Sequence, residues 1–221
     1  MDRPYLLRIP SIASAASMHN EQPRIWNAVE FSHEVLRRHL RSDARVVDAT
    51  AGNGHDTVFL LDLLDHRGRV LAVDIQSQAV TNTRERVASH PKASQAEVVL
   101  VSHERLDAVL LQHGWTHIDG AVMNCGYLPG GDKNVRTAVP STVAAMRTLV
   151  SHLALGGVVC VVCYTGHEGG PEERDAVRDV CASLPKDGYR CAYFTNPGRR
   201  NAPECFCVER IYMDDADATA T

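Results

Sequence analysis

The fold is decided by the stretch Val46-Val47-Asp48-Ala49-Thr50-Ala51-Gly52-Asn53-Gly54-His55-Asp56-Thr57. A β-branched run leads into an aspartate and a Gly-x-Gly turn, and an amphipathic run follows. This pattern predicts a strand that enters a helix through a tight turn, because glycine allows backbone angles and close approaches that a Cβ would block. The helix start then presents unpaired N–H groups and a partial positive charge. We therefore expect a nucleotide-type cofactor site at the carboxyl edge of a parallel sheet.

Outward from this stretch, short apolar strands alternate with helices. We predict strands over residues 45–49, 69–74, 96–101, 118–123, 158–163, 189–195 and 205–211. We predict helices over residues 25–40, 55–64, 76–89, 105–112, 142–153 and 171–184, with Gly156-Gly157 ending the fifth. This alternation predicts an α/β, Rossmann-like fold with a mostly parallel seven-stranded sheet covered on both faces. The last two strands have no helix between them, so they are expected to form a C-terminal hairpin at one edge.

The length of the chain predicts a single domain, which we place over residues 23–213. Residues 1–22 are expected to be a disordered leader, and residues 214–221 an acidic, flexible tail. An organellar transit peptide within residues 1–20 is the alternative, although only Arg3 and Arg8 supply positive charge there. No window approaches about 20 continuous apolar residues, so we predict no membrane span. The location that we predict is the cytoplasm.

The charge of the chain bears on nucleic-acid binding. The formal net charge is −4, and three of the acids, Asp214, Asp215 and Asp217, lie in the tail. Without those three, 24 acids face 23 bases, so the body of the protein is nearly neutral. This balance argues against a global basic field, and an RNA substrate would need a local patch.

Seven cysteines, an odd number, are spread through apolar segments. This distribution favours a reducing compartment over a disulfide framework. Cys160 and Cys163 have C-x-x-C spacing, but alternation along a strand points them to opposite faces. We therefore predict small buried hydrophobic residues and no metal site.

The identity of the cofactor depends on more than the glycines, because nicotinamide, flavin and S-adenosylmethionine enzymes all use a Gly-x-Gly turn. Thr57 occupies the position where a dinucleotide fingerprint needs Gly or Ala for helix packing. Asp48 would lie uncomfortably near a pyrophosphate, whereas it would attract an ammonium or sulfonium group. Asp74 follows Gly52 at the spacing of a ribose-binding acid. The balance favours S-adenosylmethionine; the alternative is that the two acids merely cap helices.

The residues expected at this cofactor lie at the ends of the first four strands and at the helix starts that follow. Gly52–Gly54 is expected under the methionine part and Asp74 at the ribose hydroxyls. His103 and Glu104 border the adenine, unless they are helix-start residues without a ligand contact. The full prediction is Asp48, Gly52, Asn53, Gly54, Asp56, Thr57, Asp74, Gln76, His103, Glu104 and Asn124.

The loop after the fourth strand should come closest to the transferable methyl group. Asn124-Cys125-Gly126-Tyr127 resembles the Asn/Asp-Pro-Pro-Tyr loop of methyltransferases that act on amino nitrogens, with both prolines replaced. An asparagine carbonyl can accept from a substrate N–H and aim the nitrogen lone pair at the methyl carbon. Tyr127 can cover the reacting group. The alternative is a strained connector, because Pro129-Gly130 fits a type II turn.

Three motifs extend this pattern: Asp48 to Thr57, Asp74-Ile-Gln76, and Asn124-x-Gly-Tyr-Leu-Pro-Gly-Gly-Asp-Lys133. Tyr164-x-Gly-His167, Gly169 and Glu172-Glu173 add to them. With these residues, roughly Trp26 to Tyr193 resembles the putative rRNA methylase family of class I S-adenosylmethionine-dependent methyltransferases. The resemblance implies a tRNA methyltransferase that converts the 5-aminomethyl group of wobble uridine, often 2-thiolated, to 5-methylaminomethyl. It also implies tRNA, at the anticodon region, as partner, and a homodimer is plausible for the family.

Catalytic and RNA-binding residues are predicted on the loops. Asn124 and Tyr127 are the catalytic candidates at the methyl group, and His167 and Asp132 are candidate proton acceptors. Cations that could clamp tRNA phosphates, unless they are solvated loop charges, are Lys133, Arg136, Arg199 and Arg200. The loop Asn196 to Pro203 departs from the family pattern, which tends to have two prolines before the last strand. Alternatives are a small-molecule or rRNA N-methyltransferase, an NAD-dependent oxidoreductase and a non-catalytic nucleotide-binding module.

Overall fold

In a computed structural model, residues 25–132 and 135–211 are described, and they are built around one seven-stranded sheet. The strands are β1 (Arg45–Asp48), β2 (Arg69–Asp74), β3 (Ala96–Leu100), β4 (Ile118–Cys125), β5 (Leu153–Cys163), β6 (Tyr189–Phe194) and β7 (Glu204–Arg210). Their order is β3-β2-β1-β4-β5-β7-β6. β7 pairs antiparallel with both β5 and β6, and the other pairs are parallel. The predicted Rossmann-like sheet with a C-terminal hairpin at one edge is confirmed.

The helices lie where the sequence predicted them, with small shifts at their ends. They are α1 (Ala28–His39), α2 (His55–Leu63), α3 (Ser77–Ala88), α4 (Leu106–Gln112), α5 (Val139–Ser151) and α6 (Gly170–Ser183). α1 begins at a capping box, because Asn27 Oδ1 accepts from the Glu30 N–H at 3.0 Å while Glu30 accepts from the Asn27 N–H at 2.8 Å. Within the described ranges, the helices are all too short or too polar to cross a membrane. The predicted leader and tail, and Lys133, lie outside the described residues.

The core consists of two apolar layers, one on each face of the sheet. α4, α5 and α6 cover one face through residues such as Leu110, Met146 and Val177. α1 and α2 cover the other through Leu36 and Leu60. The predicted alternation is confirmed: Cys160 lies in the second layer and Cys163 in the first. Cys125, Cys160, Cys163, Cys205 and Cys207 are all buried free thiols.

The glycine pair Gly156-Gly157 does not end a helix, so that prediction is wrong. α5 already ends at Ser151, and β5 runs through both glycines. The pairing of β4 with β5 shifts register between Ile118 and Gly120. Gly156 has φ +77°, and a Cβ on Gly157 would lie 2.9 Å from the Asp119 carbonyl oxygen. The glycines therefore accommodate an irregularity inside a strand.

The strand order places a crevice at the carboxyl edge. β1 lies between β2 and β4, so the chain winds outward in one direction through β2 and β3 and in the other through β4 and β5. In such sheets ligands bind where the order reverses, outside the carboxyl ends of the strands. The glycine turn follows β1 and Asn124 lies near the end of β4. These two features therefore meet at the switch point.

Candidate functional site

A cavity of about 430 Å³ opens at this switch point. Its walls come from the ends of the first five strands and from residues 126–129 and 135–137, where the Thr137 N–H donates to the Gly126 carbonyl oxygen at 2.9 Å. The predicted site residues that line it are Gly52, Asp74, Gln76, His103, Asn124, Tyr127, Arg136 and His167. The structure therefore brings together residues that are as much as 115 positions apart in the chain.

The glycine turn is fixed against α3. Gly52 and Gly54 have φ +54° and +78°, a region that glycine enters at little cost. Thr83 Oγ1 donates to the Gly52 carbonyl oxygen at 3.1 Å. A Cβ on Gly54 would lie 2.9 Å from Thr83 Cα, closer than side chains approach backbone. Gly52 thus lines the cavity, whereas Gly54 lets the turn pack against the next helix.

Asp74 at the end of β2 organises the cofactor side of the cavity. Its Oδ2 accepts from the Gly52 N–H and its Oδ1 from the Gln76 N–H, both at 2.9 Å. Each carboxylate oxygen retains a lone-pair site, so this side chain can still accept from hydroxyl groups of a ligand. Next to it, burial lowers the pKa of His103, whose buried Nε2 has no partner in residues 25–132 and 135–211.

Asp48 lies behind the cavity and does not line it. The carboxylate is fully buried and accepts from Thr57 Oγ1 at 2.6 Å and from the Thr50 N–H at 3.2 Å. Burial and the nearby charge of Asp56 raise the pKa of Asp48 to about 7. Asp48 and Thr57 were predicted at the cofactor. They form a buried, hydrogen-bonded pair that joins the end of β1 to the first turn of α2 and does not line the cavity.

The raised pKa predicts a pH-dependent stability. Between pH values of about 4 and 7 the native state retains the Asp48 proton that the unfolded state releases, so the free energy of unfolding falls as pH rises, by up to about 4 kcal/mol in total. Asp48→Asn removes this titration. Urea unfolding from about pH 4.5 to about pH 8 should show wild type losing stability relative to the variant. Parallel curves for the two proteins would contradict the assignment.

Asn124, near the end of β4, lines the cavity with one end of its side-chain amide already bonded to protein. Its backbone N–H donates to Thr50 Oγ1 at 2.8 Å, and its Nδ2 donates to Asp56 Oδ2 at 2.6 Å. Its Oδ1 is buried and has no hydrogen-bond partner among the described residues. A buried, unpaired acceptor costs free energy, so such an atom at a cavity wall indicates a ligand donor.

His167 and two tyrosines, Tyr127 and Tyr164, also line the cavity. His167 Nδ1 donates to the Glu168 carbonyl oxygen at 3.0 Å, so the neutral ring carries no proton on Nε2. That Nε2 is buried, without a partner in the described part of the chain, and close to the Gly126 backbone. The Tyr127 ring meets the His167 ring edge-on at 6.1 Å, and Tyr164 lines the wall beside them. The two tyrosine rings can hold a planar ligand, and His167 Nε2 can accept a proton.

Several predicted residues lie close to the cavity without lining it. Asn53 bonds to Asn82 and to the Pro129 carbonyl oxygen, which ties the turn to α3 and to the loop that covers the cavity. Asp56 lies between Asn124 and His33. The described residues that line the cavity do not include Asp48, Asn53, Gly54, Asp56, Thr57, Glu104 or Asp132. The side chains of Asp48, Asn53, Asp56 and Thr57 bond to other protein groups instead.

Sequence reasoning did not assign Tyr164, Ser141 and Asn201 to the cavity, although the structure does. Tyr164 belongs to the Tyr164-x-Gly-His167 motif, so its spacing from His167 was a usable signal. Ser141 and Asn201 lie in segments without a motif. Asn201 has φ +56°, a conformation that asparagine tolerates better than most residues.

Three of the predicted cations, Arg136, Arg199 and Arg200, belong to the described residues, and Arg136 lines the cavity. The Arg136 guanidinium pairs with Glu168 Oε2 at 3.1 Å. Arg199 lines a second groove of about 260 Å³. This groove shares Asn201 with the main cavity. Arg200 is exposed beside it and lines neither. Arg136 is thus part of the cavity wall, whereas Arg199 and Arg200 lie outside the cavity.

Comparison with known proteins adds to this geometry. The family described as "Putative rRNA methylase" matches residues 70–210. The chain is 30% identical over 184 residues to the chloroplastic tRNA (mnm(5)s(2)U34)-methyltransferase of Arabidopsis thaliana, covering 80% of this chain and 66% of that protein. A crystal structure described as a putative rRNA-methylase from Clostridium thermocellum superposes with a TM-score of 0.80 at 29% identity, covering 85% of this chain and 99% of that one. A putative methyltransferase from Streptococcus mutans, solved in complex with SAH, gives 0.74 and 28% with the same coverage.

Proposed function

The chain belongs to the Putative rRNA methylase family, and on this premise we propose that it is an S-adenosylmethionine-dependent N-methyltransferase that acts on tRNA. The observation that carries the proposal is the Oδ1 of Asn124, a buried acceptor without a protein partner in the described residues, at the wall of the cofactor cavity. Such an atom is suited to a substrate that brings an N–H donor. The chain spans 66% of the length of its chloroplastic relative.

The residues present fit S-adenosylmethionine. Asp74 keeps acceptor capacity for ribose hydroxyls at the end of β2, and the unpartnered Nε2 of His103 lies on the same side of the cavity. Asp48 is buried beside the glycine turn, and its carboxylate, when ionised, favours a ligand that carries ammonium and sulfonium groups. When bound, this cofactor supplies an electrophilic methyl group.

On the acceptor side, the chain's residues orient a nitrogen and remove its proton. Asn124 Oδ1 can accept one N–H of a primary amine and so direct its lone pair, which is the main requirement of an in-line displacement. A free alkyl amine is mostly protonated near neutral pH, so one proton must leave before attack. His167 Nε2, which carries no proton in the neutral ring, can accept it. Tyr127 and Tyr164 supply aromatic walls for the base.

The substrate we propose is the 5-aminomethyl group of wobble uridine, often 2-thiolated, in the anticodon of tRNA. Three features support it: the unpaired Asn124 oxygen, the aromatic wall, and the cations Arg136 in the cavity and Arg199 in the second groove. The chloroplastic relative is described as a tRNA (mnm(5)s(2)U34)-methyltransferase. The buried free cysteines favour a reducing compartment such as the cytoplasm.

The proposal is tested by mass spectrometry of tRNA nucleosides. We expect the purified protein, with S-adenosylmethionine and tRNA from a strain lacking this gene, to convert aminomethyl uridine to its methylaminomethyl form. The deletion strain should accumulate the unmethylated nucleoside. Unchanged methylaminomethyl uridine in that strain would overturn the proposed substrate. Methylation of rRNA or of a small amine instead would keep the reaction and replace the substrate.

The cations near the second groove predict a selective loss with RNA. Arg199→Glu with Arg200→Glu should raise the KM for tRNA roughly tenfold or more, because two phosphate-attracting charges become repulsive. The affinity for S-adenosylmethionine, measured by calorimetry, should not change. Arg41→Glu with Arg147→Glu is the matched control, since it changes the net charge equally at residues that line neither space. Equal effects of the two double variants would mean that only overall charge matters.

A further inference from the structure

A histidine on the first helix reaches toward the acceptor asparagine through an aspartate. His33 lies on α1, and its Nε2 is 2.5 Å from Asp56 Oδ1. The other carboxylate oxygen, Asp56 Oδ2, accepts from Asn124 Nδ2 at 2.6 Å. These contacts connect α1, the first turn of α2 and the end of β4 in one continuous chain of hydrogen bonds. Neither His33 nor Asp56 lines the cavity.

The chain of bonds fixes which end of the Asn124 amide faces the cavity. An ionised carboxylate has only acceptor oxygens, so both His33 Nε2 and Asn124 Nδ2 must donate to Asp56. With its NH₂ group held by Asp56, the Asn124 side chain can present only its oxygen to a ligand. A flipped amide would direct two donors at the substrate amine and repel the hydrogens of that nitrogen.

His33 is itself held in one orientation. Its ring stacks on the Phe59 ring with centroids 3.8 Å apart and planes 9° apart. The Arg37 guanidinium also lies over the Phe59 ring, 5.4 Å from its centroid. The His33 side chain is only 23% exposed. The stacking therefore aims Nε2 at Asp56 and leaves few alternative rotamers.

We propose that His33, acting through Asp56, is a positioning residue that keeps the Asn124 oxygen directed at the acceptor nitrogen. The inference rests on the proposed N-methyltransferase function. It extends that function to a residue that contacts neither cofactor nor substrate. It also defines the acceptor as a nitrogen that bears a hydrogen, since only such a group can donate to the fixed Asn124 oxygen.

Two substitutions separate hydrogen bonding from packing. His33→Phe keeps a ring to stack on Phe59 but cannot donate to Asp56, whereas His33→Gln keeps an N–H donor near the position of Nε2 and loses the ring. We expect His33→Phe to lower kcat roughly tenfold or more with little change in the KM for S-adenosylmethionine, and His33→Gln to stay within about threefold of wild type. The opposite order would show a packing role and overturn the proposal.

The matched control is His113→Phe. His113 pairs with Glu97 Oε2 at 2.9 Å, its side chain is 21% exposed, and it does not line the cavity. This control should leave kcat unchanged. Thermal unfolding of all three variants shows whether a loss of activity reflects a loss of folded protein.

A second measurement does not depend on activity. The side-chain amide of Asn124 can be assigned in a nitrogen-15 NMR spectrum by its disappearance in Asn124→Ala. Its two proton resonances should keep their positions in His33→Gln and move in His33→Phe. If wild type fails to methylate tRNA while these shifts behave as expected, the proposed function fails and the positioning role stands. If tRNA is methylated but His33→Phe leaves both kcat and the resonances unchanged, the positioning role is overturned.

Discussion

Replacing Asn124 with alanine should lower the rate of methyl transfer roughly 10²- to 10³-fold, the loss typical when one preorganised group at a reacting centre is removed. The change deletes the unpartnered Oδ1 but leaves the backbone N–H bond to Thr50 and the His33 contact with Asp56 in place. The affinity for S-adenosylmethionine, measured by calorimetry, should therefore stay close to that of wild type. Single-turnover methylation of tRNA gives the rate.

Asn124→Gln is the companion variant. It keeps the amide but lengthens the side chain by one methylene, which displaces the oxygen by roughly 1.5 Å, and misplacement of this size can cost about 10²-fold. We therefore expect glutamine to restore little of the activity. Full activity in either variant would show that the oxygen does not position the acceptor, and a matching loss of cofactor binding would assign Asn124 to the cofactor instead.

Gly54→Ala should destabilise the protein by roughly 2–4 kcal/mol, since a left-handed conformation strains alanine and the new Cβ overpacks the turn. Gly54 has φ +78°, and the added Cβ would lie 2.9 Å from Thr83 Cα. Backbone cannot yield as a flexible side chain does, so the turn must move away from α3. Because Gly52 in the same turn lines the cavity, we expect the affinity for S-adenosylmethionine to fall at least tenfold.

Gly114→Ala is the control that separates the backbone strain of a left-handed alanine from the steric contact of an added Cβ. Gly114 has φ +66°, and a Cβ there meets nothing within 4 Å. This variant should cost only about 1–2 kcal/mol, the strain of a left-handed alanine, and should bind the cofactor as wild type does. Chemical unfolding and calorimetry on both proteins give the difference. Equal destabilisation by the two substitutions would mean that packing of the turn against α3 contributes nothing.

The architecture could be predicted because its causes are local. Short apolar runs predict the buried strands, a 3.6-residue repeat predicts helices, and the glycine turn joins the first strand to the next helix. Within residues 25–132 and 135–211, these signals predicted all seven strands and all six α-helices, with ends that differ by up to five residues, but not the short 3-10 helices Ala93–Gln95 and His103–Arg105. The pair Gly156-Gly157 misled because glycine both ends helices and permits bulges, and only the pairing of β4 with β5 distinguishes the two uses.

The candidate site likewise has features that the strand pattern predicts and features that depend on packing. The positions of the glycine turn, Asp74 and Asn124 at the ends of β1, β2 and β4 could be predicted from the pattern of strands, and with them their meeting at one edge of a parallel sheet. Which of the predicted groups face the cavity depends on how the helices pack on that sheet. Asp48 turned inward to Thr57, and Asp56 turned to His33 and Asn124, residues 23 and 68 positions away. A carboxylate can bond to any donor within about 3 Å, and the packing of α1 and α2 on the sheet determines which donor that is.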